Sequence, residues 1–387
     1  MPDDLDLRQL LQRWSAEAVA HRDELGMELS EHEINSEWLG NPPAGEGELA
    51  AAEARLGRRL PASLREFYSI TNGWPLTSFD FGVIVPVAEL ALFRDAAPDM
   101  FEIWADDEDD DEDEDDGYPA VLGRSFLVSD GPDHMLLDPG RVGPDGEWGT
   151  FGLTSWYPGM GDEQPSFRAG LSSHYATFVR YEVPESPTHD AVRDEVEDIY
   201  VRLLNGRLDG VEALRTATKH GNERASVLLV QYEALLLPRR AGLHLLGHLS
   251  ALEADPAAEQ DLLPLFVSSA LDPHDAMGWA LDRALDSPDL AQSTRTTLLR
   301  LVDEHRRDGG LRARYPGEFG EQLSYVRTLV ESDWMFEAWQ AFNLALPSWR
   351  PASTLHLAPL ALVWDVDLRR LFTPEHGREL LRAPRSL

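Results

Sequence analysis

The stretch Glu53–Trp74 reads EARLGRRLPASLREFYSITNGW and leaves the backbone few choices. A helical pattern running to about Leu56 meets Gly57, a residue that enters the left-handed turn closing a helix at no steric cost. A second pattern opens at Leu60–Pro61, where proline suits a first helical position because its missing N–H is not needed there. Leu60, Leu64 and Phe67 share one face at helical spacing, and Asn72-Gly73 is the next stop signal. Read from the residues alone, this is a capped helical pair in a core.

The same residues carry a resemblance. Glu53, Leu56, Gly57, Leu60, Pro61, Leu64, Phe67, Asn72, Gly73 and Trp74, in that order, resemble the signature of the SUKH superfamily, the Smi/Knr-like domain. Trp38 followed by Pro42-Pro43-Ala44 resembles the segment that precedes the signature in bacterial members. Trp38 reads as a lid on the core rather than a ligand platform.

At 387 residues the chain exceeds one typical domain, so two are expected. No run approaches the roughly 18 consecutive apolar residues that suggest a membrane span. The beginning, MPDDLDLRQLLQRW, is acidic and has no basic region before an apolar core, so no signal peptide is expected. Without cysteine there is no disulfide, thiolate nucleophile or cysteine-ligated zinc, and a reducing cytoplasm suits the chain. The net charge of −35 should repel nucleic acid and anionic membranes and hasten encounter with a basic partner. Solubility alone is the plainer account of that charge.

In order, residues 4–25 read as a first helix with Leu7, Leu10, Leu11, Trp14 and Ala18 on one stripe, and 36–48 as loop. Phe81–Val87 suits a strand and Ala88–Phe93 a short helix. Asp106–Asp116 is eleven consecutive acids, a self-repelling block that buries nothing and should be an extended insertion. Ala120–Val128 and His134–Asp138 read as strands about the turn Asp130–Asp133, followed by Glu147–Phe151, a meander of antiparallel strands. Phe167, Leu171, Tyr175 and Phe178 mark a helix over Ser166–Tyr181.

This half resembles the SUKH pattern again at Leu136–Pro139, Gly146–Trp148, Trp156–Gly159 and Ser166-Phe167, so the resemblance spans roughly 20–185. The fold it implies is α+β, an antiparallel sheet packed with helices, in a domain 1–185 with the acidic insertion at 106–116. Val183–Thr188 reads as a Pro-punctuated linker. Residues 186–387 then show helical patterns broken at Pro238, Asp255-Pro256, Asp272-Pro273, Ser287-Pro288 and Asp308–Gly310, an all-α bundle or solenoid-like domain with no repeat of fixed period. Thr373-Pro374 opens the last helix.

The chemistry motifs are negative. There is no phosphate loop, dinucleotide fingerprint or nucleophile elbow. His244 and His248 lie four apart but lack the glutamate of H-E-x-x-H and a third ligand, so packing is the better reading. Asp130, Asp133, His134 and Asp138 read as hairpin capping, and Asp365 and Asp367 as helix-start charges. Neither a metal, a cofactor nor catalysis is expected. The acidic run, including Asp109, Asp110, Asp111, Glu112 and Asp113, is a solvated loop, a lure for a basic surface or a loose calcium binder. Trp148, Trp156 and Tyr157 form either a partner-facing patch or the core of a small sheet. The resemblance implies a protein-binding immunity protein that neutralises a cognate toxin, and the acidic charge suits a basic toxin domain such as a nuclease, with a monomer favoured. A regulatory scaffold is the alternative.

Overall fold

Asp6 starts the first helix. Its carboxyl accepts from Gln9 N at 2.8 Å while Gln9 Oε1 accepts from Asp6 N at 3.1 Å, a reciprocal cap for α1 (Leu7–Ala20). The computed structural model describes residues 5–75, 82–105, 118–154, 160–161, 163–183, 186–237, 242–253, 255–272 and 277–385. After α2 (Glu31–Ser36) and a loop, α3 (Glu46–Leu56) ends at Gly57, whose φ of +70° is the left-handed closure the sequence requires. Pro61 is not the first residue of α4 (Ala62–Ile70) but its extended N-cap, one position earlier than expected. The helix also stops sooner than expected. Thr71 is already extended at φ −152°, so Asn72-Gly73 does not close α4 and is free for other bonds.

Among the described residues two antiparallel sheets follow. β1 (Trp74–Pro75), β2 (Val83–Ile84) and β5 (Ser129–Asp130) form one, in the order β1-β2-β5. β3 (Ala91–Leu92), β4 (Phe126–Leu127), β6 (His134–Val142) and β7 (Trp148–Leu153) form the other, in the order β3-β4-β6-β7. The register of β6 on β7 pairs Leu136 with Phe151 and slips between Asp138 and Val142, at Pro139-Gly140. Side chains alternate across β6 with period two. Met135 and Leu137 join a core with α1, α4 and α8 (Phe167–Tyr181), whereas Leu136 joins Phe93, Val121, Leu122, Phe151 and Leu153 on the opposite face. Both faces are covered, which is why HMLLD is buried throughout rather than alternating with polar residues.

Two expected elements differ. Ala120–Val128 is not one strand, since Tyr118–Arg124 is a helix (α7) and only Phe126–Leu127 pairs in the sheet. Ser125 Oγ donates to Val121 O at 2.7 Å at the close of that helix, and Ser125 O accepts from Phe93 N at 2.8 Å. A short apolar run carries no periodicity to separate the two states. Ala88–Phe93 is likewise not a helix: it turns, extends as β3, and only at Phe93 begins α5 (Phe93–Ala96), which α6 (Pro98–Ala105) follows. The acidic run lies outside the described residues, as does part of Phe81–Val87.

The chain divides into two compact units, Met1–Asp190 and Ala191–Leu387, with the division inside α9 (Pro187–Leu204). Helix therefore begins within the stretch that reads as a linker. Among the described residues the second unit holds helices and no strand, apart from one isolated bridge, Leu311 to Asp365. It holds α10 (Val211–Lys219), α11 (Glu223–Ala234), α12 (Leu263–Ala270), α13 (Gly278–Asp286), α14 (Gln292–Asp308), α15 (Gly317–Glu331), α16 (Met335–Ala345), α17 (Ala361–Trp364) and α18 (Pro374–Arg382). Thr373 caps α18 through His376 N at 3.1 Å, as its sequence requires. His244 and His248 sit on a 3-10 turn, Gly242–His248, not an α-helix. The chain is therefore an α+β unit with small antiparallel sheets followed by a helical unit.

Candidate functional site

The signature residues form a bonded frame. Glu53 Oε1 spans the Gly57 turn to accept from Leu60 N at 3.2 Å and Arg65 Nη1 at 3.1 Å, tying α3 to the start of α4. Asn72 Oδ1 accepts from Val87 N at 2.8 Å, and Asn72 N donates to Pro42 O at 3.1 Å. Gly73 O accepts from Asn41 N at 3.4 Å and Thr71 Oγ1 at 2.6 Å. Gly73 itself has φ +118°, and a Cβ there would lie 2.7 Å from Asn41 Nδ2, so only glycine fits. Ala44 N donates to Tyr68 O at 2.8 Å. The loop 39–44 is thus lashed to 68–73 along its length. Phe67 meets Phe167 edge to face at 5.2 Å, and Trp74 lies between Trp14 and Trp38 at 6.1 and 5.3 Å.

The second set of motifs closes on the first. Glu147 is buried and accepts from Ser63 N at 2.8 Å and Ser63 Oγ at 2.5 Å, capping the first turn of α4 from 84 residues away. Asp138, fully buried, accepts from Arg124 Nε at 2.7 Å, Arg124 Nη2 at 2.8 Å and Gly140 N at 2.7 Å, which fixes the bulge. Asp138 therefore acts at the bulge and not at the turn Asp130–Asp133, with Arg124 as a partner that the local sequence does not reveal. His134, whose two ring nitrogens are buried without a hydrogen-bond partner, does not cap the hairpin as expected.

Of the expected partner-facing aromatics, Trp148 is 7 % exposed and stacks on Phe126 at 5.7 Å, with the Arg58 guanidinium 5.8 Å over its ring. It is core, because β7 turns it toward α4 and α8, and it offers no surface to a partner. Trp156, Tyr157 and Asp109–Asp113 lie outside the described residues.

Loop 39–44 forms a wall of a cleft of about 720 Å³ that the sequence does not announce. Trp38, half-buried, lines it with Arg8, His32, Glu33 and Glu37. Gly40 packs so closely on Trp38 that a Cβ would stand 2.9 Å from its ring. Glu37 ends α2 in the left-handed region at φ +48°, a conformation uncommon outside glycine. Ser30 N at 2.7 Å and Ser30 Oγ at 2.6 Å donate to the Glu33 carboxylate, and these bonds hold its pKa below the usual carboxylate range. Trp38 thus both caps the core through Trp74 and lines a cleft.

Three other buried titratable groups, Tyr175, Asp261 and Asp365, are engaged by the fold. Tyr175 donates to Glu17 Oε2 at 2.6 Å and meets Thr188 Oγ1 at 2.8 Å; burial, then Glu17, pushes its pKa up. In the helical unit Asp261 is 0 % exposed on a π turn, Ala258–Leu262. Tyr315 OH reaches both its oxygens at 2.7 Å, His356 Nε2 reaches Oδ2 at 2.7 Å and Trp364 Nε1 reaches Oδ1 at 2.8 Å. His356 Nδ1 accepts from Ala352 N at 3.2 Å, so Nε2 carries the proton donated to Asp261. This network is closed and structural. Asp365 is not simply a helix-start charge: fully buried, it accepts from Leu368 N at 3.0 Å in the 3-10 turn that Asp367 precedes, and also from Ala313 N at 2.7 Å and Arg327 Nη2 at 2.6 Å. Among the described residues no group of three or more His, Cys, Asp or Glu is placed to hold a metal, and no helix is long and apolar enough to cross a membrane.

No curated protein and no solved structure matches the chain. The bonded frame, the buried two-faced sheet and the cap from Glu147 fall inside one stretch that a family model does match. Residues 43–170 match the SMI1 / KNR4 family (SUKH-1), so the chain carries a domain of that family.

Proposed function

We propose that the chain is a non-enzymatic, cytoplasmic protein-binding protein that neutralises a basic toxin, a nuclease being the chemistry that fits best. The observation that carries this reading is a net charge of −35 on a chain with a SUKH-1 domain. Many bacterial members of that superfamily are thought to neutralise a cognate toxin by binding it. An enzyme that grips phosphates must be basic, and an acidic surface both steers it in and competes with its substrate. The run Asp106–Asp116 is the densest part of that field. A pull-down against the products of neighbouring genes tests the reading. The expected result is a basic protein bound one to one, with an association rate that falls as salt rises and a shallower salt slope after deletion of 106–116. Failure to retain any basic protein at low salt refutes it.

A second reading, a regulatory scaffold of the Smi/Knr-like type, is favoured by one observation. The helical unit Ala191–Leu387 lies wholly outside the family match. Neighbouring genes without a toxin, together with capture of several acidic or neutral partners, support this reading over the first.

A further inference from the structure

The cleft beside Trp38 has features of a site for a cationic side chain. Its wall is fixed. Leu39 N donates to Ser15 Oγ at 3.0 Å, and the bonds from Asn41, Pro42 and Ala44 to residues 68–73 hold the rest. Trp38 cannot turn away, because Gly40 lies against its ring and Trp74 meets it edge to face at an interplanar angle of 69°. What remains of the indole is directed into the cleft it lines. Two carboxylates border that space, Glu33 fixed by Ser30 and Glu37 held in a left-handed conformation. Strain kept at an exposed glutamate, where glycine or asparagine would sit more easily, points to a use for the carboxylate.

We propose that this cleft binds an arginine side chain of the partner protein, its guanidinium stacked on Trp38 and paired with Glu37. Arginine suits it better than lysine, since a planar, weakly hydrated cation can lie on an indole while its edge donates to a carboxylate. The volume admits the side chain together with the adjoining backbone. Arg8 is the like charge on the rim, and it makes the assignment testable in sign. The proposal rests on the protein-binding reading above, and its test uses a probe that is not a toxin.

The full-length chain is titrated with the peptide Ac-Gly-Arg-Gly-NH2 and with its lysine and citrulline counterparts. The indole N–H resonance of Trp38, assigned by its loss in Trp38→Phe, is followed by NMR. The arginine peptide is expected to shift that resonance, the lysine peptide to bind more weakly, and the citrulline peptide to do nothing. Glu37→Asn, which suits the left-handed backbone, should weaken binding about threefold to fivefold, the scale of one exposed ion pair. Arg8→Gln should tighten it, whereas Arg378→Gln, an exposed cation of the helical unit, should change it less. A citrulline or lysine peptide as effective as the arginine one, or an unchanged affinity in Glu37→Asn, overturns the proposal. A shift with the arginine peptide but no toxin among neighbouring gene products sinks the toxin reading alone. A captured toxin whose affinity is untouched by Glu37→Asn sinks the cleft alone.

Discussion

Replacing Asp261 by asparagine keeps the shape of a fully buried polar group in the helical unit and removes half of its acceptors. Asp261 Oδ1 serves Trp364 Nε1 at 2.8 Å, and Oδ2 serves His356 Nε2 at 2.7 Å. An amide nitrogen at either position faces an N–H. The indole has no other tautomer, and moving the His356 proton to Nδ1 would set it against Ala352 N–H. At least one buried donor on each side of the contact is therefore left unpaired, at about 1–3 kcal/mol each. The expected cost of Asp261→Asn is about 2–6 kcal/mol, a large share of the roughly 5–15 kcal/mol that holds a domain folded. Urea unfolding followed by circular dichroism measures it, and hydrogen exchange should show lost protection concentrated at 258–270 and 349–364. Asp255, which binds Ser353 Oγ at 2.7 Å in a half-buried setting, is the comparison, and Asp255→Asn should cost under about 1 kcal/mol. An Asp261→Asn protein within about 1 kcal/mol of the wild type would refute the claim that the carboxyl organises these three segments.

Other perturbations have equally definite outcomes. Gly73→Ala should cost about 2–4 kcal/mol, combining strain at φ +118° with displacement of Asn41, and thermal unfolding will report it. His174, half-buried on α8, has its pKa pushed down to about 4 by burial. The unfolded chain therefore takes up a proton near pH 6.5 that the folded chain refuses. Stability should fall as pH drops from about 6.5 to about 4, by up to about 1.4 kcal/mol per unit, and less steeply in His174→Gln when urea midpoints are compared. Arg327→Met leaves Asp365 buried without its cation and should cost about 3 kcal/mol or more in the same assay, whereas Arg378→Met on the surface should cost under about 1 kcal/mol.

The sequence is legible where the physics is local. Gly57 closes α3, and Thr373 caps α18 through His376 N at 3.1 Å, because each acts within one turn of its own position. Ala120–Val128 differs from the expected strand because its short apolar runs, Ala120–Leu122 and Phe126–Val128, fit a strand and a helix equally, and burial against Phe93 decides between them. The bond from Glu147 to Ser63 spans 84 residues, and the meeting of Asp261, Tyr315, His356 and Trp364 spans more than 100. No periodicity or spacing encodes such pairs. The Trp38 cleft was hidden for a related reason. Its aromatic carries a core role that is readable, and its second role exists only once the loop 39–44 has been pinned.

The lashing of residues 39–44 to 68–73 separates frame from key. The bonds that hold the cleft open come largely from Thr71, Asn72 and Gly73, inside the matched stretch 43–170, whereas Arg8, His32, Glu33, Glu37 and Trp38 all precede it. A search tuned to the signature therefore detects the lock casing and is blind to the wards. Two chains with the same signature can present differently charged rims on an identical support. Their partners should be sorted by the residues just ahead of the domain rather than by those that define it.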